Sequence, residues 1–231
     1  RICSMETICR ISDTLELIEE KLKDKVTWFS HHPQFAHVFH MPRIRSNKLM
    51  GIWALAVRTS YIQDKQWWSV VNGIPIRYSI QEHALLTGLC CDELPSKESF
   101  AEKHKLSSSF ADRYFGNIDT VNFSDVREKL KGMSEDNEDE DKDDIVKMAL
   151  MYFIGSIIIK RKNKRQGYLD SFYLKLVNDL DLCKTYPWGT LSFNYCLKIL
   201  EGKMAKPSEC RPNSFKSWAL PCFITPLEVS F

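Results

Sequence analysis

Apolar side chains recur at helical spacing along most of the chain, and strand-like alternation is confined to one short segment. Leu15, Ile18 and Leu22 fall on one face of a helix predicted over residues 12–22. The same periodicity predicts further helices at 46–60, 123–132, 145–160, 170–183 and from Trp188 to Gly202.

The segment that alternates has the turn chemistry of a β-hairpin. The sequence WWSVV is aromatic and β-branched, and IPIRYS alternates apolar and polar positions. Asn72 and Gly73 between them suit a type I′ turn, in which both central residues have positive φ. Pro75 lacks an amide hydrogen, so its strand is expected at a sheet edge. The segment predicts a small antiparallel hairpin near residues 67–79.

A short helix is predicted directly after the hairpin. Ser79 and Glu82 have the spacing of a capping box, in which each side chain accepts a hydrogen bond from the other residue's amide. Gly88 can supply the left-handed residue that ends the helix. Each of these residues has a structural role, so the segment indicates a scaffold and supplies no catalytic set.

Trp67 and Trp68 are neighbours on a predicted strand. Successive side chains of a strand point to opposite faces. The two rings are therefore expected on opposite faces of the sheet, so that one lies away from the face that buries the other.

These elements predict a mainly α fold of the α+β class, a multi-helix globular domain with one small hairpin. We expect one helical domain at 1–203, interrupted by an acidic, disordered loop at 134–144. Residues 204–231 are predicted to be a linker and an apolar C-terminal extension packed on that domain.

Charge is distributed unevenly along the chain. The net formal charge is +2, but residues 134–144 hold eight acids and one lysine, which leaves +9 on the remainder. A basic body with an acidic loop admits nucleic acid as a partner. The acidic loop can mimic nucleic acid, fold back on the basic run and screen it, or act as a solvated linker.

Lys160, Arg161, Lys162, Lys164 and Arg165 form the densest basic run. One interpretation is contact with nucleic acid or a nuclear-import signal. The other is a helix C-terminus, where cations complement the helix dipole.

Eight cysteines occur without a C-x-x-C pair, and we expect no signal peptide, since the first residues lack its pattern. This usage favours reduced thiols and a nuclear or cytoplasmic location. The most apolar run, 148–159, is shorter than the about 20 residues that a bilayer requires. We expect no membrane association.

The sequence predicts no catalytic residues, no metal site and no cofactor. His37 and His40 are spaced to chelate a metal, but no cysteine or carboxylate nearby completes a ligand set. His83 lies close in sequence to Cys90 and Cys91, which follow a helix end. A helix C-terminus raises a thiol pKa, so a catalytic thiolate is disfavoured there.

Three blocks of the sequence resemble a plant domain of unknown function. They are HHPQFAHVFHMP, VVNGIPIRYSIQEHALLTGLCC and LVNDLDLCKTYPWGTLSFNYCLKIL, and they place the resemblance at about residues 25–201. The third block contains the signature Pro187, Trp188 and Gly189. The chain is more loosely similar to the plant mobile domain. It departs from the pattern with His83, where many relatives have Phe, and Thr190, where Arg is usual.

The resemblance implies a transposon-derived protein in which such a domain often precedes a cysteine peptidase of the SUMO-protease type. It adds no catalytic set to this chain. We therefore expect a non-catalytic protein-interaction or scaffold module that has a protein partner and no small-molecule substrate. Nucleic-acid binding through the 160–165 run is the alternative, and a cysteine-dependent enzyme is a weaker one.

Overall fold

The computed structural model describes residues 5–7, 11–41, 43, 61–71, 73–116, 118–133, 143–159, 168–204 and 218–220. Helices dominate these residues, so the predicted mainly α class with a small antiparallel sheet is confirmed. The predicted helix at 46–60, nearly all of the acidic loop and most of the C-terminal extension lie outside the described residues. Among the described helices, none has the length and apolar character needed to cross a membrane.

The N-terminal helices contribute an apolar face to the main core. α1 (Ile11–Leu22) buries Leu15, Ile18 and Leu22, as its spacing predicts. A 3-10 turn (Lys23–Val26), α2 (Thr27–Ser30) and α3 (Ala36–His40) follow. Phe29, Phe35 and Phe39 from this region lie with ring centroids 4.9–5.9 Å from Phe153, so they anchor the segment on a helix more than a hundred residues away.

The predicted hairpin is confirmed and has a third strand. β2 (Tyr61–Gln63), β3 (Gln66–Val71) and β4 (Ile74–Tyr78) form an antiparallel sheet in that order, which leaves β4 and its Pro75 at an edge. β2 turns into β3 through Asp64 and Lys65, whose φ angles are 51° and 57°. Neither residue is glycine, so this turn lacks the Asn-Gly signal that marks the β3–β4 turn.

Four helices lead from the sheet to the acidic segment. They are α4 (Ile80–Thr87), α5 (Lys97–His104), α6 (Ser109–Phe115) and α7 (Phe123–Gly132). α7 has the predicted bounds because Asn122 caps it by accepting from the amides of Ser124 and Asp125.

α8 (Asp144–Phe153) continues into a π-helical turn (Ile154–Ile158) and forms the centre of the main core. Its residues are buried all round except for the half-buried Lys147, as expected of a helix that is apolar on every face. Asp144, which the sequence places in the acidic loop, is instead buried at the helix start. Its carboxylate accepts from Arg113 at 2.5 Å and from the Tyr114 hydroxyl at 3.1 Å.

The continuous helix predicted over 170–183 is wrong. The structure has α9 (Ser171–Leu176) and α10 (Leu180–Thr185), separated where Asp179 accepts from the amides of Asp181 and Leu182. An aspartate that satisfies two amides starts a new helix more readily than it continues one. α11 (Trp188–Met204) begins at the predicted residue but extends past Gly202, its predicted end.

Two apolar clusters organise the described residues. The larger surrounds α8, and the smaller joins the sheet to α11 through Trp67, Tyr78, Phe193, Cys196 and Leu200. A second, parallel pair of strands, β1 (Met5–Thr7) and β5 (Trp218–Leu220), brings together segments near the two ends of the chain. The α11 helix contributes to both clusters, so it positions the sheet relative to the main core.

Candidate functional site

The residues of the predicted hairpin-to-helix signature adopt the expected local structure. Gly73 has a φ of 81° in the β3–β4 turn. The Ser79 amide donates to the Glu82 carboxylate at 2.7 Å, and the Ser79 hydroxyl accepts from the Gln81 amide, which closes the capping box. Gly88 ends α4 with a φ of 69°. Asn72 lies outside the described residues.

The second sequence block is in direct contact with the third block at Gly189 and with the first block at Gly88. We call this contact, formed by Gln34, Gly88, Cys90, Cys91 and Gly189, the junction. The Gly189 amide donates to the Cys90 carbonyl at 2.8 Å. A β-carbon at Gly189 would lie 2.4 Å from the Cys91 sulfur, and one at Gly88 would lie 2.9 Å from the β-carbon of His37. Only glycine permits these approaches, which explains Gly88 in the second block and Gly189 in the third.

Gln34 connects the first block to the other two. Its amide nitrogen donates to the carbonyls of Lys184 and Tyr186 at 2.7 and 3.0 Å, and its oxygen accepts from the Cys90 amide at 2.9 Å. The side chain is buried, so these bonds are shielded from water. No sequence pattern singles out Gln34, although it lies within the HHPQFAHVFHMP block.

Replacing Gly189 by alanine is expected to destabilise the protein by about 2–3 kcal/mol, because the added methyl group overlaps the Cys90 carbonyl and the Cys91 sulfur. Gly202→Ala in the same helix is the matched control, since a β-carbon at that position would extend into open space. That control should be neutral or stabilising by up to about 1 kcal/mol. Equal urea midpoints for the two variants would contradict the close packing.

The signature Pro187, Trp188 and Gly189 begins α11 beside the junction. Trp188 is fully buried, and its indole nitrogen donates to the Cys183 carbonyl at 2.9 Å. Thr190, the departure from the resembled pattern, donates to the Asp92 carbonyl at 2.7 Å. Thr190 therefore supports the junction and is itself buried, which removes it from the surface available to a partner.

His83 lies in a buried chain of side chains behind the sheet. Its Nδ1 is 2.7 Å from the Tyr78 hydroxyl, and its Nε2 is 3.2 Å from the Ser192 hydroxyl. Burial lowers the pKa of His83 to about 4, so the ring is neutral at pH 7. A serine next to a histidine resembles part of a catalytic triad, but all three side chains are at most 2% exposed. The arrangement ties β4, α4 and α11 together and offers no access to a substrate.

The thiols near His83 are poor nucleophiles. Burial raises the pKa of Cys91 to about 12, with smaller contributions from Cys90 and Asp92, and burial also raises the pKa of Cys90. The sequence also predicted a raised thiol pKa, but it attributed the rise to the helix dipole, whereas burial is the largest cause in the structure. Both ring nitrogens of His83 contact hydroxyl groups, so His83 is not oriented as the base for either thiol.

In the described part of the chain, no three His, Cys, Asp or Glu side chains are grouped as metal ligands. The absence of a metal site from the whole chain stays a prediction. His40 uses its Nδ1 on the Ala36 carbonyl at 2.6 Å. The Lys160, Arg161, Lys162, Lys164 and Arg165 run lies outside the described residues, so its contacts stay a prediction.

The sheet exposes one face to solvent, and sequence reasoning identified only part of it. Trp67 is 1% exposed and faces α11, whereas Trp68 lies on the opposite side and is half-buried, as expected of strand neighbours. We call the solvent side the outer face; the strand register assigns to it Tyr61, Gln63, Gln66, Trp68, Val70, Pro75 and Arg77. Tyr61 and Trp68 are cross-strand partners with ring planes parallel to within 6° and centroids 6.3 Å apart.

Comparisons with known proteins agree with the block structure. A family model described as a domain of unknown function (DUF1985) matches residues 58–199. The uncharacterized protein At3g43530 of Arabidopsis thaliana is 26% identical over 192 residues, which cover 80% of this chain and 21% of that protein. The chain thus spans about a fifth of the length of this relative. No solved structure matches the chain.

Proposed function

We propose that this chain, which belongs to the DUF1985 family, is a non-catalytic protein-interaction module. The observation that carries the proposal is the position of its exposed apolar side chains. Of the five large hydrophobic residues that the described structure leaves most exposed, four lie between residues 61 and 85: Tyr61, Val70, Ile74 and Leu85. Single exposed hydrophobic residues are ordinary, but these four are concentrated on one small sheet and its following helix. Tyr61 and Val70 share a face of the sheet, and Ile74 lies on the opposite face at its end. Such a concentration supports a region that binds another protein.

The resemblance supports a more specific role. We propose that the module positions a partner for a cysteine peptidase of the SUMO-protease type within a transposon-derived plant protein, in the nucleus or cytoplasm. The relative from Arabidopsis thaliana extends well beyond the matched segment, which is compatible with a module inside a larger protein. The raised thiol pKa values and the buried His83 support a module without catalysis of its own.

The test is affinity capture from plant cells with matched surface variants. The tagged chain is compared with a variant in which Tyr61, Val70, Ile74 and Leu85 are each replaced by serine. Tyr168→Ser is the control, because Tyr168 is 52% exposed but lies in a different part of the chain. Thermal unfolding of each variant is measured first, to separate a lost surface from a lost fold.

The proposal expects a defined set of proteins that the parent and the control recover equally and that the fourfold variant loses. Recovery of the same proteins by all three chains would contradict it. A nucleic-acid function gives a different result: labelled DNA or RNA would bind with a steep salt dependence that weakens when Lys160, Arg161, Lys162, Lys164 and Arg165 are changed to alanine.

A further inference from the structure

The outer face of the sheet is an aromatic surface with little net charge. Tyr61 is 48% and Val70 38% exposed, and Pro75 is exposed beside Val70 as its cross-strand partner. Trp68 lies between Tyr61 and Arg77, so a row across the three strands consists of two aromatic rings and one guanidinium. The Trp67 and Tyr78 side chains fill the opposite side, which fixes the strands against α11. The face is thus held by a buried core and does not need a ligand to form.

Among the described residues of the sheet, its β2–β3 turn and the start of α4, the charges cancel. Arg77 donates to the Glu82 carboxylate at 3.0 Å, and Asp64 and Lys65 are adjacent in the β2–β3 turn. A nucleic-acid strand or a strongly charged peptide finds no excess of opposite charge here. An uncharged ligand is the better electrostatic match.

Apart from Arg77, the polar groups of the outer face are uncharged, and each can donate a hydrogen bond. Gln63 and Gln66 are cross-strand partners next to the aromatic row, and each carries an amide donor. Trp68 adds an indole N–H and Tyr61 a hydroxyl. A ligand that presents unsatisfied carbonyl groups along an apolar backbone would use both the rings and these donors. A polyproline II helix has this character, because it makes no internal hydrogen bonds and exposes its carbonyls.

Addition of an extended strand fits the same sheet less well. Of the two edge strands, β2 has only three described residues, and Pro75 within β4 has no amide hydrogen to donate to an added strand. Recognition across the face, instead of along the edge, avoids this defect.

We propose that the outer face binds an uncharged, proline-rich peptide segment in the polyproline II conformation, with prolines packed on Tyr61 and Trp68 and carbonyls facing Gln63 and Gln66. This inference rests on the proposed function and names the class of partner for it. Aromatic-lined grooves are a general means of binding such segments, whose preformed helix lowers the entropy lost on binding.

The experiment titrates the full chain with a capped, uncharged peptide of about ten residues made of Ala-Pro-Pro repeats, long enough for an extended helix. A peptide of equal length made of Ala-Ser-Gly repeats is the control, because it is uncharged but flexible. Binding is followed by calorimetry. We expect saturable binding of the proline peptide alone, weakened about tenfold or more in Trp68→Ala and in Tyr61→Ala and unchanged in Tyr168→Ala.

Three outcomes would overturn the inference. Proline-peptide binding that is absent, or equal in all variants, removes it outright. Salt-sensitive binding of a single-stranded oligonucleotide that Trp68→Ala abolishes would assign the face to nucleic acid. Concentration-dependent dimerisation that the same variant abolishes would assign it to a second copy of the chain. If the peptide fails while affinity capture still depends on the four exposed apolar residues, the interaction module stands and only the class of partner is wrong.

Discussion

Lowering the pH from 6.5 to 4 is expected to remove several kcal/mol of folding stability. His32 and His83 are buried, and the pKa of each is lowered from 6.5 to about 4, mainly by burial and in His32 also by the charge of Lys184. When the chain unfolds, both imidazoles reach water and take up a proton below pH 6.5. The unfolded state then binds more protons than the folded state throughout this window.

The sign of the dependence follows from that proton uptake. The stabilisation is complete above pH 6.5 and is lost as the pH falls through the window towards 4, because protons favour the unfolded chain. At about 1.4 kcal/mol per pKa unit, each histidine contributes about 3 kcal/mol. Glu82 extends the loss to lower pH. Burial alone would raise its pKa, but hydrogen bonds from Ser79 and Arg77 overcome this and lower it to about 2.

Urea unfolding at a series of pH values between 7 and 4 measures this prediction, and two variants separate the histidines. His83→Phe keeps the packing against Phe193, whose ring centroid is 5.5 Å away, and removes one titrating group. In the native chain, the backbone amides of Gln34 and Phe35 donate hydrogen bonds to Nδ1 of His32. His32→Asn removes the titrating ring but retains a side-chain acceptor for these amides. Each single variant should lose about half of the slope of stability against pH, and the double variant nearly all. An undiminished slope in the double variant would refute the assignment.

Local signals in the sequence predicted the structure well where one chemical rule decides the conformation. Ser79 and Glu82 form the predicted capping box of α4, and Gly88, which lacks a side chain, adopts the left-handed conformation that ends this helix. The prediction failed at 170–183, where two local preferences of similar strength favour different structures. The apolar periodicity of 170–183 favoured one helix, but Asp179 captured two amides and started another.

The candidate sites depend on contacts between distant residues, which a single sequence does not reveal. The need for Gly189 arises from Cys90 and Cys91, about a hundred positions earlier in the chain. The outer face required β2, whose turn through Asp64 and Lys65 lacks the glycine that marked the Asn72-Gly73 turn. The resemblance supplied the sequence blocks, and the structure showed that these blocks pack against one another.

Replacing Gln34 by alanine is expected to lower the free energy of unfolding by about 4 kcal/mol. The substitution removes three hydrogen bonds at a buried position and deprives the Lys184 carbonyl and the Cys90 amide of their partner. Each buried polar group left unsatisfied costs about 1–3 kcal/mol. The Tyr186 carbonyl loses less, because it also accepts from the Trp188 amide at 2.8 Å.

Gln34→Met separates the hydrogen bonds from the packing. Methionine has a similar length and fills the same space, but it cannot donate to a carbonyl. If the hydrogen bonds dominate, Gln34→Met should lose most of the stability that Gln34→Ala loses, and the Cys90 amide should exchange its hydrogen faster in both variants. Near-complete recovery in Gln34→Met would show that Gln34 acts through packing alone. The amide exchange also tests the junction directly, because Cys90 lies 56 positions from Gln34 and its protection requires the first and second blocks to remain in contact.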